Sequence, residues 1–135
     1  MDGELATHAI LSADTAVGAI VGAGTSASIF YDEAKQTTPM PLIIVSLFGI
    51  DPSDNKDGAS DLDFDWVYVY CYAESKKQCN DLARAARNAL DRKSGTYLSV
   101  VVQSIEFITQ NSGSEFIGNE PRWFIEQQYK LTINL

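Results

Sequence analysis

The side chains best suited to metal binding or covalent chemistry are scarce in this sequence: one histidine, His8, and two cysteines, Cys71 and Cys79. A structural zinc site draws Cys and His ligands from short, regular spacings, and these three residues show neither a CxxC nor an HxxxH spacing. The sequence therefore predicts no zinc site. A disulfide between Cys71 and Cys79 is one interpretation of the pair. Two reduced, buried thiols are the favoured one, because free cysteine commonly behaves as a small hydrophobic residue.

A cluster of aspartates offers a second kind of chemistry, since carboxylates in a loop can bind a divalent cation. Its members are Asp51, Asp54, Asp57, Asp61, Asp63 and Asp65. Alignment of Asp57-Gly58 with the EF-hand pattern puts Phe64 at the last ligand position, where that motif needs a bidentate glutamate. The EF-hand is thereby excluded. A weak cation site and a solvated loop that keeps a strand edge soluble are both open.

Catalytic machinery is not apparent in the pattern of residues. The single imidazole, His8, has no obvious nucleophile beside it, there is no G-x-S-x-G motif, and the carboxylates lie in predicted loops or on strand edges without an apolar pocket to raise a pKa. We therefore predict a protein that is not an enzyme, with no catalytic, metal-binding or cofactor-binding residues and no cofactor.

A glycine-rich stretch, Gly22 to Ala27, matches the G-x-G-x-x-A dinucleotide fingerprint. That motif works only between a strand and a helix, and the residues before Gly22 predict a helix instead. A glycine-rich helix end is the favoured interpretation. A small ligand- or nucleotide-binding α+β domain, or a monomeric adaptor, is kept as the alternative function.

The overall composition is that of one ordinary globular domain spanning residues 1–135, because 45% of the residues are apolar and 21% are charged. The net charge of −8 argues against a nucleic-acid-coating protein. The acidic start of the chain lacks the pattern of a signal peptide, and no apolar stretch approaches the ~20 residues that span a bilayer. We expect synthesis in a cytoplasm and no membrane partner.

The periodicity of apolar residues predicts helices over residues 4–11, 16–21 and 76–91, the last capped by Ser75 with Gln78 in a capping box. Strands are predicted over residues 42–48, 62–73, 97–108 and 123–135, and loops over residues 51–60 and 110–120. The first two helices count as one broken helix, so the order is α-β-β-α-β-β. This order predicts an α+β fold, a four-stranded, mostly antiparallel sheet with helices packed on one face.

The second predicted strand is the most unusual segment, because alternate positions carry large amphipathic rings. The even positions are Leu62, Phe64, Trp66, Tyr68, Tyr70 and Tyr72, and the odd positions from Val67 to Ala73 are small and apolar. The small residues suit close packing under an alanine-rich helix, which would leave the rings on an uncovered face typical of a protein interface. In the other interpretation the rings point into the core and something else covers the small residues.

The arrangement of these segments resembles the phage tail completion family, also called tail terminators or head–tail joining proteins. The resemblance covers nearly the whole chain. The segments that carry it are Leu11-Ser12-Ala13-Asp14-Thr15-Ala16-Val17, Val21-Gly22, Pro39-Met40-Pro41-Leu42-Ile43-Ile44-Val45, Val69-Tyr70-Cys71-Tyr72-Ala73, the helix from Ala83 to Leu90, and Val100-Val101-Val102-Gln103-Ser104.

The resemblance implies a small α+β subunit that assembles as a ring, commonly a hexamer. Such a ring caps the tail tube, stops its polymerisation and joins it to the head, so the implied partners are further copies of this chain, the tail tube protein and the head–tail connector protein. The implied location is the head–tail junction of a virion, after synthesis in the host bacterial cytoplasm. An acidic ring would let DNA pass without binding it, and no sequence-specific nucleic-acid binding is expected.

Two groups of residues are candidates for the subunit and partner contacts. The first is the row Trp66, Tyr68, Tyr70 and Tyr72, and the second is the apolar pair Phe116 and Ile117 in an otherwise polar loop. We expect the segments 51–60 and 110–120 to be mobile in the isolated subunit and ordered against a partner. The alternative is that Phe116-Ile117 packs back onto its own sheet.

Overall fold

A computed structural model describes residues 2–22, 27–33, 39–55, 58–117 and 120–134, with the backbone alone for residues 52–55, 58–61, 116–117 and 120. These residues form helices and strands in the following order: α1 (Asp2–Ala13), α2 (Thr15–Val21), β1 (Ile29–Tyr31), β2 (Leu42–Asn55), β3 (Gly58–Ala73), α3 (Lys76–Leu90), β4 (Gly95–Tyr97), β5 (Val100–Ile117) and β6 (Glu120–Asn134). The predicted α+β class is thereby confirmed.

The strands form one sheet of six in the described residues, in the order β1-β2-β3-β6-β5-β4. The prediction of four strands was wrong, because it did not include two short strands at the edges of the sheet. Ile29–Tyr31 forms a parallel edge strand on β2, although three apolar residues carry too little periodicity to predict a strand. The predicted strand over residues 97–108 is divided by a tight turn at Leu98 and Ser99, both with positive φ, which makes β4 a separate edge strand.

The predicted loops over residues 51–60 and 110–120 were also wrong for the residues that the structure describes, since residues 51–55 and 58–60 belong to the paired strands β2 and β3, and residues 110–117 and 120 to the paired strands β5 and β6. Aspartate, glycine and serine disfavour strands locally, but backbone pairing with the opposite strand outweighs that preference. The partners of β3 on β6 begin at Leu62↔Asn134 and end at Ala73↔Trp123. Each hairpin therefore extends past the sheet centre as a two-stranded arm, one at each end of the sheet.

The helices pack on one face of the sheet, as the sequence predicts. Val67, Val69 and Cys71 of β3 are fully buried in the same cluster as Leu82 and Ala86 of α3. Ser75 caps α3 by accepting a hydrogen bond from the backbone N–H of Gln78 at 3.2 Å. No described helix is long and apolar enough to cross a membrane.

Candidate interaction site

The face of the sheet opposite the helices carries a continuous row of rings, which we call the aromatic ladder: Phe48, Trp66, Tyr68, Tyr70, Tyr72 and Phe124. Strand alternation places the β3 members on this face, because their neighbours Val67, Val69 and Cys71 are buried under α3. Phe124 joins the ladder because it is the cross-strand partner of Tyr72. The interpretation with the rings in the helix-side core is therefore wrong.

The rings of the ladder pack on one another rather than standing free. Phe48 stacks on Tyr68 with 3.9 Å between ring centroids, and the successive pairs from Tyr68 through Tyr70 and Tyr72 to Phe124 lie 5.7, 6.5 and 6.0 Å apart. These separations are typical of favourable aromatic pairs. Phe48 sits at a register shift of β2, a β-bulge that inserts one residue between Leu47 and Gly49. The bulge gives the ladder a ring from a neighbouring strand.

Polar and charged groups from neighbouring strands fix the ends of the ladder. The indole N–H of Trp66 donates a 2.9 Å hydrogen bond to Asp51 Oδ2. The Lys130 ammonium lies 5.6 Å from the Trp66 ring, and the Arg122 guanidinium lies 5.4 Å from the Tyr72 ring. Cation–π contacts of this kind contribute about 0.5–1 kcal/mol each at exposed sites. The ladder is thus a preorganised surface.

The phenols of Tyr70 and Tyr72 are neutral hydroxyl groups at physiological pH. Burial, and then the negative charge of Glu126, raises the pKa of Tyr70 above its ordinary value. Burial also raises the pKa of Tyr72, with Glu115 as the next cause. Neutral phenols can donate and accept hydrogen bonds at a contact with another protein.

Two apolar side chains of β2, near the start of the β2–β3 arm, are exposed. Phe48, a member of the ladder, is 43% exposed, whereas Ile50, 48% exposed, pairs with the helix-facing Asp65 and therefore lies on the other face of the sheet. The other predicted contact residues, Phe116 and Ile117, form the last two residue pairs of the β5–β6 arm, opposite Pro121 and Glu120. Their side chains are outside the part that the structure describes.

The two cysteines do not form a disulfide and are buried, as favoured by the sequence. The Cys79 thiol lies 3.3 Å from the backbone oxygen of Cys71 and donates to it. Burial raises the pKa of Cys79 to about 11 and that of Cys71 further still. Both thiols are therefore packing residues between α3 and β3.

The aspartate cluster is divided between separate roles. Asp51 accepts from Trp66, and Asp65, only 2% exposed, accepts a 2.8 Å hydrogen bond from the backbone N–H of Gly3 at the start of α1. The expectation that no carboxylate lies where burial raises its pKa was wrong for Asp65, because desolvation raises the pKa of that side chain. No group of three or more metal-binding side chains occurs among the described residues; the side chains of Asp54, Asp57 and Asp61 lie outside them.

The roles of two other polar side chains, His8 and Gln127, were not predicted. His8 stacks on Tyr31 of β1 at 4.6 Å, and its Nε2 lies 3.0 Å from the backbone oxygen of Ile29, so it holds the edge strand. Gln127 donates to the α3 carbonyl of Ala83 at 2.9 Å and accepts from Tyr129 at 2.8 Å. Strand alternation was the available signal, since it places both Asp65 and Gln127 on the helix-facing side.

The glycine-rich fingerprint has its helix before it, as predicted: α2 ends at Val21, and the Gly22 N–H bonds to the Gly18 carbonyl at 2.9 Å. Residues 23–26 lie outside the described part of the chain. The strand that a dinucleotide fingerprint requires in front of it is therefore replaced by a helix.

A solved structure shares the fold of this chain. The chain is similar to a chain of a structure described as the virion of a native gene transfer agent particle, with 18% sequence identity and a TM-score of 0.66. The match covers 96% of this chain and 92% of the other. This subunit therefore has the same α+β fold as a chain of that particle. A comparison with curated proteins gives no match.

Comparison with protein families then gives the particular group. The profile of the family described as "Tail completion protein gp17" matches residues 6–116, most of the chain. The chain therefore belongs to the tail completion protein family, which confirms the resemblance carried by its sequence. It is a structural protein of a phage-type tail and a component of a virion.

Proposed function

We propose that this protein forms a ring of identical subunits, a hexamer, that caps the tail tube and joins it to the head connector. In that position the ring ends polymerisation of the tube and lies at the head–tail junction. Its partners are further copies of itself, the tail tube protein and the connector protein.

The observation that carries the proposal is the pair of arms at opposite ends of the sheet. At one end, residues 58–61 of β3 lie beyond the last residue pair with β6, which is about 13 Å at ~3.3 Å per residue. At the other end, residues 115–117 of β5 pair with β6 beyond the last partner of β3, about 10 Å. A two-stranded hairpin is marginally stable alone, so contact with another protein of the assembly would stabilise each arm.

The aromatic ladder supports self-association. Tyrosine and tryptophan are enriched at the buried centres of protein interfaces, and the described helices all pack on the other face of the sheet. We assign Trp66, Tyr68, Tyr70 and Tyr72 to contacts with other subunits. The exposed Phe48 of β2 extends that surface toward the β2–β3 arm.

The net charge supports a passage for DNA rather than a binding site for it. Each subunit carries −8, so a hexameric ring would carry a strongly negative potential that repels the phosphate backbone. Genome passage through a ring requires that the DNA does not adhere to its wall.

The test is assembly with purified tail tubes that lack their completion protein. Light scattering of the free protein and sedimentation with tubes should show particles of several subunits, and electron microscopy should show one ring at one end of each tube. Phe116→Ser should leave folding intact and impair tail joining. The matched control is Leu98→Ser, at an exposed apolar position (66%) on a hairpin at the other end of the sheet.

Three results would contradict the proposal. The first is a monomer at all concentrations that fails to bind tubes. The second is unfolding of the free subunit by Phe116→Ser, which would mean that the Phe116 side chain packs on its own sheet. The third is equal loss of joining in both variants, which would remove the specific role of the β5–β6 arm.

A further inference from the structure

The basic residues of this acidic protein are concentrated on one element. Six of the ten lie between residues 76 and 93, on α3 and the turn that follows it, together with only two aspartates. They are Lys76, Lys77, Arg84, Arg87, Arg92 and Lys93. This segment carries +4, so the remainder of the chain carries −12. The charge is therefore strongly segregated along the chain.

The structure places all six basic side chains on the surface. Each is exposed, because α3 buries its other face, with Leu82 and Ala86, against the sheet. The Arg87 guanidinium lies over the Phe107 ring of β5, 3.9 Å from its centroid, and Asp91 accepts a hydrogen bond from the Phe107 N–H at 3.3 Å. A groove of about 490 Å³ runs here between α3 and β5, with Arg92 and Glu106 on its rim. A cationic helix thus borders an open groove.

The strongest concentration of negative charge is the β2–β3 arm. Residues 51–63 contain five aspartates and one lysine, a net charge of −4. Asp51 and Asp63 lie where β3 still pairs with β6, so the arm itself, residues 53–61, carries −2, opposite in sign to the α3 segment.

The arm extends away from the α3 of its own subunit. Arg92, just after α3, bonds through its N–H to the Ile105 carbonyl, and Ile105 and Asp65 both have Leu131 as their cross-strand partner. The end of α3 is therefore level with Asp65. Gly58 lies seven residues further along β3, about 23 Å at ~3.3 Å per residue. That distance is well beyond the ~8 Å Debye length at physiological salt. The tip of the arm is therefore electrostatically separate from its own helix.

We propose that the β2–β3 arm of one subunit docks on the α3 surface of a second copy of this chain, with its carboxylates beside Arg84, Arg87 and Arg92 of that copy. The contact joins two different surfaces of the same chain, and such a head-to-tail contact forms a ring when the rotation between neighbouring copies closes. The inference rests on the proposed ring and specifies how its subunits recognise one another. It leaves the β5–β6 arm for the tail tube or connector.

Duplex DNA is the other anion that a cationic helix could bind. The chain as a whole repels a polyanion, and the −12 outside α3 lies within the same small subunit. The acidic arm is a local partner that belongs to the chain itself and is opposite to the helix in the sign of its charge. The observations therefore favour protein–protein docking.

The test is a charge-reversal cycle in the full chain. The helix variant is Arg84→Glu with Lys93→Glu, and the arm variant is Asp54→Lys with Asp61→Lys. We expect each to weaken self-association, alone or on tail tubes, about tenfold or more, as for close complementary charges at interfaces. The variant with all four changes has the wild-type net charge and should recover association. Circular dichroism and thermal melting of each variant check folding.

The arm variant distinguishes this contact from general repulsion. It makes the subunit less negative, so repulsion alone predicts stronger association, whereas the docking contact predicts weaker association. If both charge-reversal variants form rings as the wild type does, or if the fourfold variant does not recover association, the inference is overturned and the ring proposal still stands. Salt-dependent retention of duplex DNA that the helix variant abolishes would assign α3 to DNA instead. A wild-type monomer that ignores tubes would overturn both proposals.

Discussion

Replacement of Gly3 by alanine tests how the first helix is fixed to the sheet. Gly3 lies in the first turn of α1, is buried, and donates its N–H to Asp65 Oδ2 at 2.8 Å. A Cβ at this position would stand 2.6 Å from Asp65 Cβ and 2.8 Å from Oδ2. Such distances are not tolerated between nonbonded atoms, so either α1 or Asp65 must move.

The expected cost follows from three contributions. Insertion of a methyl group into a packed contact costs about 1–3 kcal/mol. Displacement of Gly3 weakens a hydrogen bond to a buried carboxylate, which contributes about 1.5–3 kcal/mol. Alanine recovers up to about 1 kcal/mol of helix propensity, and less at a helix end. We expect Gly3→Ala to lower the free energy of unfolding by about 2–4 kcal/mol.

Urea denaturation followed by the fluorescence of Trp66 and Trp123 measures this change. The matched control is Gly49→Ala, where the added Cβ would meet Trp66 Cδ1 at an ordinary 3.9 Å. The control should change stability by less than about 0.5 kcal/mol, the range of an unstrained surface substitution. Equal, small effects of the two substitutions would refute the argument, because they would show that α1 docks without the Gly3–Asp65 contact.

Two further predictions concern buried titratable groups. Asp65→Asn keeps an acceptor for the Gly3 N–H but removes the buried charge, so it should be more stable than wild type at pH 7. Because burial raises the pKa of Asp65 in the folded state, this difference should shrink as the pH falls through that raised pKa and close as the pH falls below the ordinary aspartate pKa of 3.8. A constant difference in urea melts from pH 7 to that value would contradict it. The second prediction is that Cys71 and Cys79 in the native protein react with a thiol reagent such as DTNB only on unfolding, since burial raises the pKa of Cys79 to about 11. Rapid native-state labelling with unchanged circular dichroism would be the contrary result.

Local sequence features predict the central part of this fold well. Ser75 and Gln78 mark the start of α3, and its apolar stripe identifies the face that packs on the sheet. Alternation along residues 62–73 divides the strand into a helix-facing side and a ring-bearing side, which the structure confirms. These features depend on neighbours within one helix turn or two strand positions, so a single segment contains the information.

The candidate site was predicted only in part for the same reason. Tyr68, Tyr70 and Tyr72 share a strand, and strand alternation alone groups them. Phe48 and Phe124 come from other strands and join the ladder through a bulge and a cross-strand register. No periodicity within one segment specifies either contact.

The sequence by itself determined the family, the α+β class, the helix α3 and the division of β3 into two faces, because each depends on local periodicity or on the order of short segments. The tertiary structure decided the two arms, the edge strands β1 and β4, and the burial of Asp65 against Gly3. In those places local preference is weak or contrary: the arms are rich in Asp, Ser and Gly, and β4 ends at a turn of Leu98 and Ser99 with φ of 50° and 69°. Backbone pairing between distant strands supplies the energy that the residues do not, and that energy exists only once the sheet has formed.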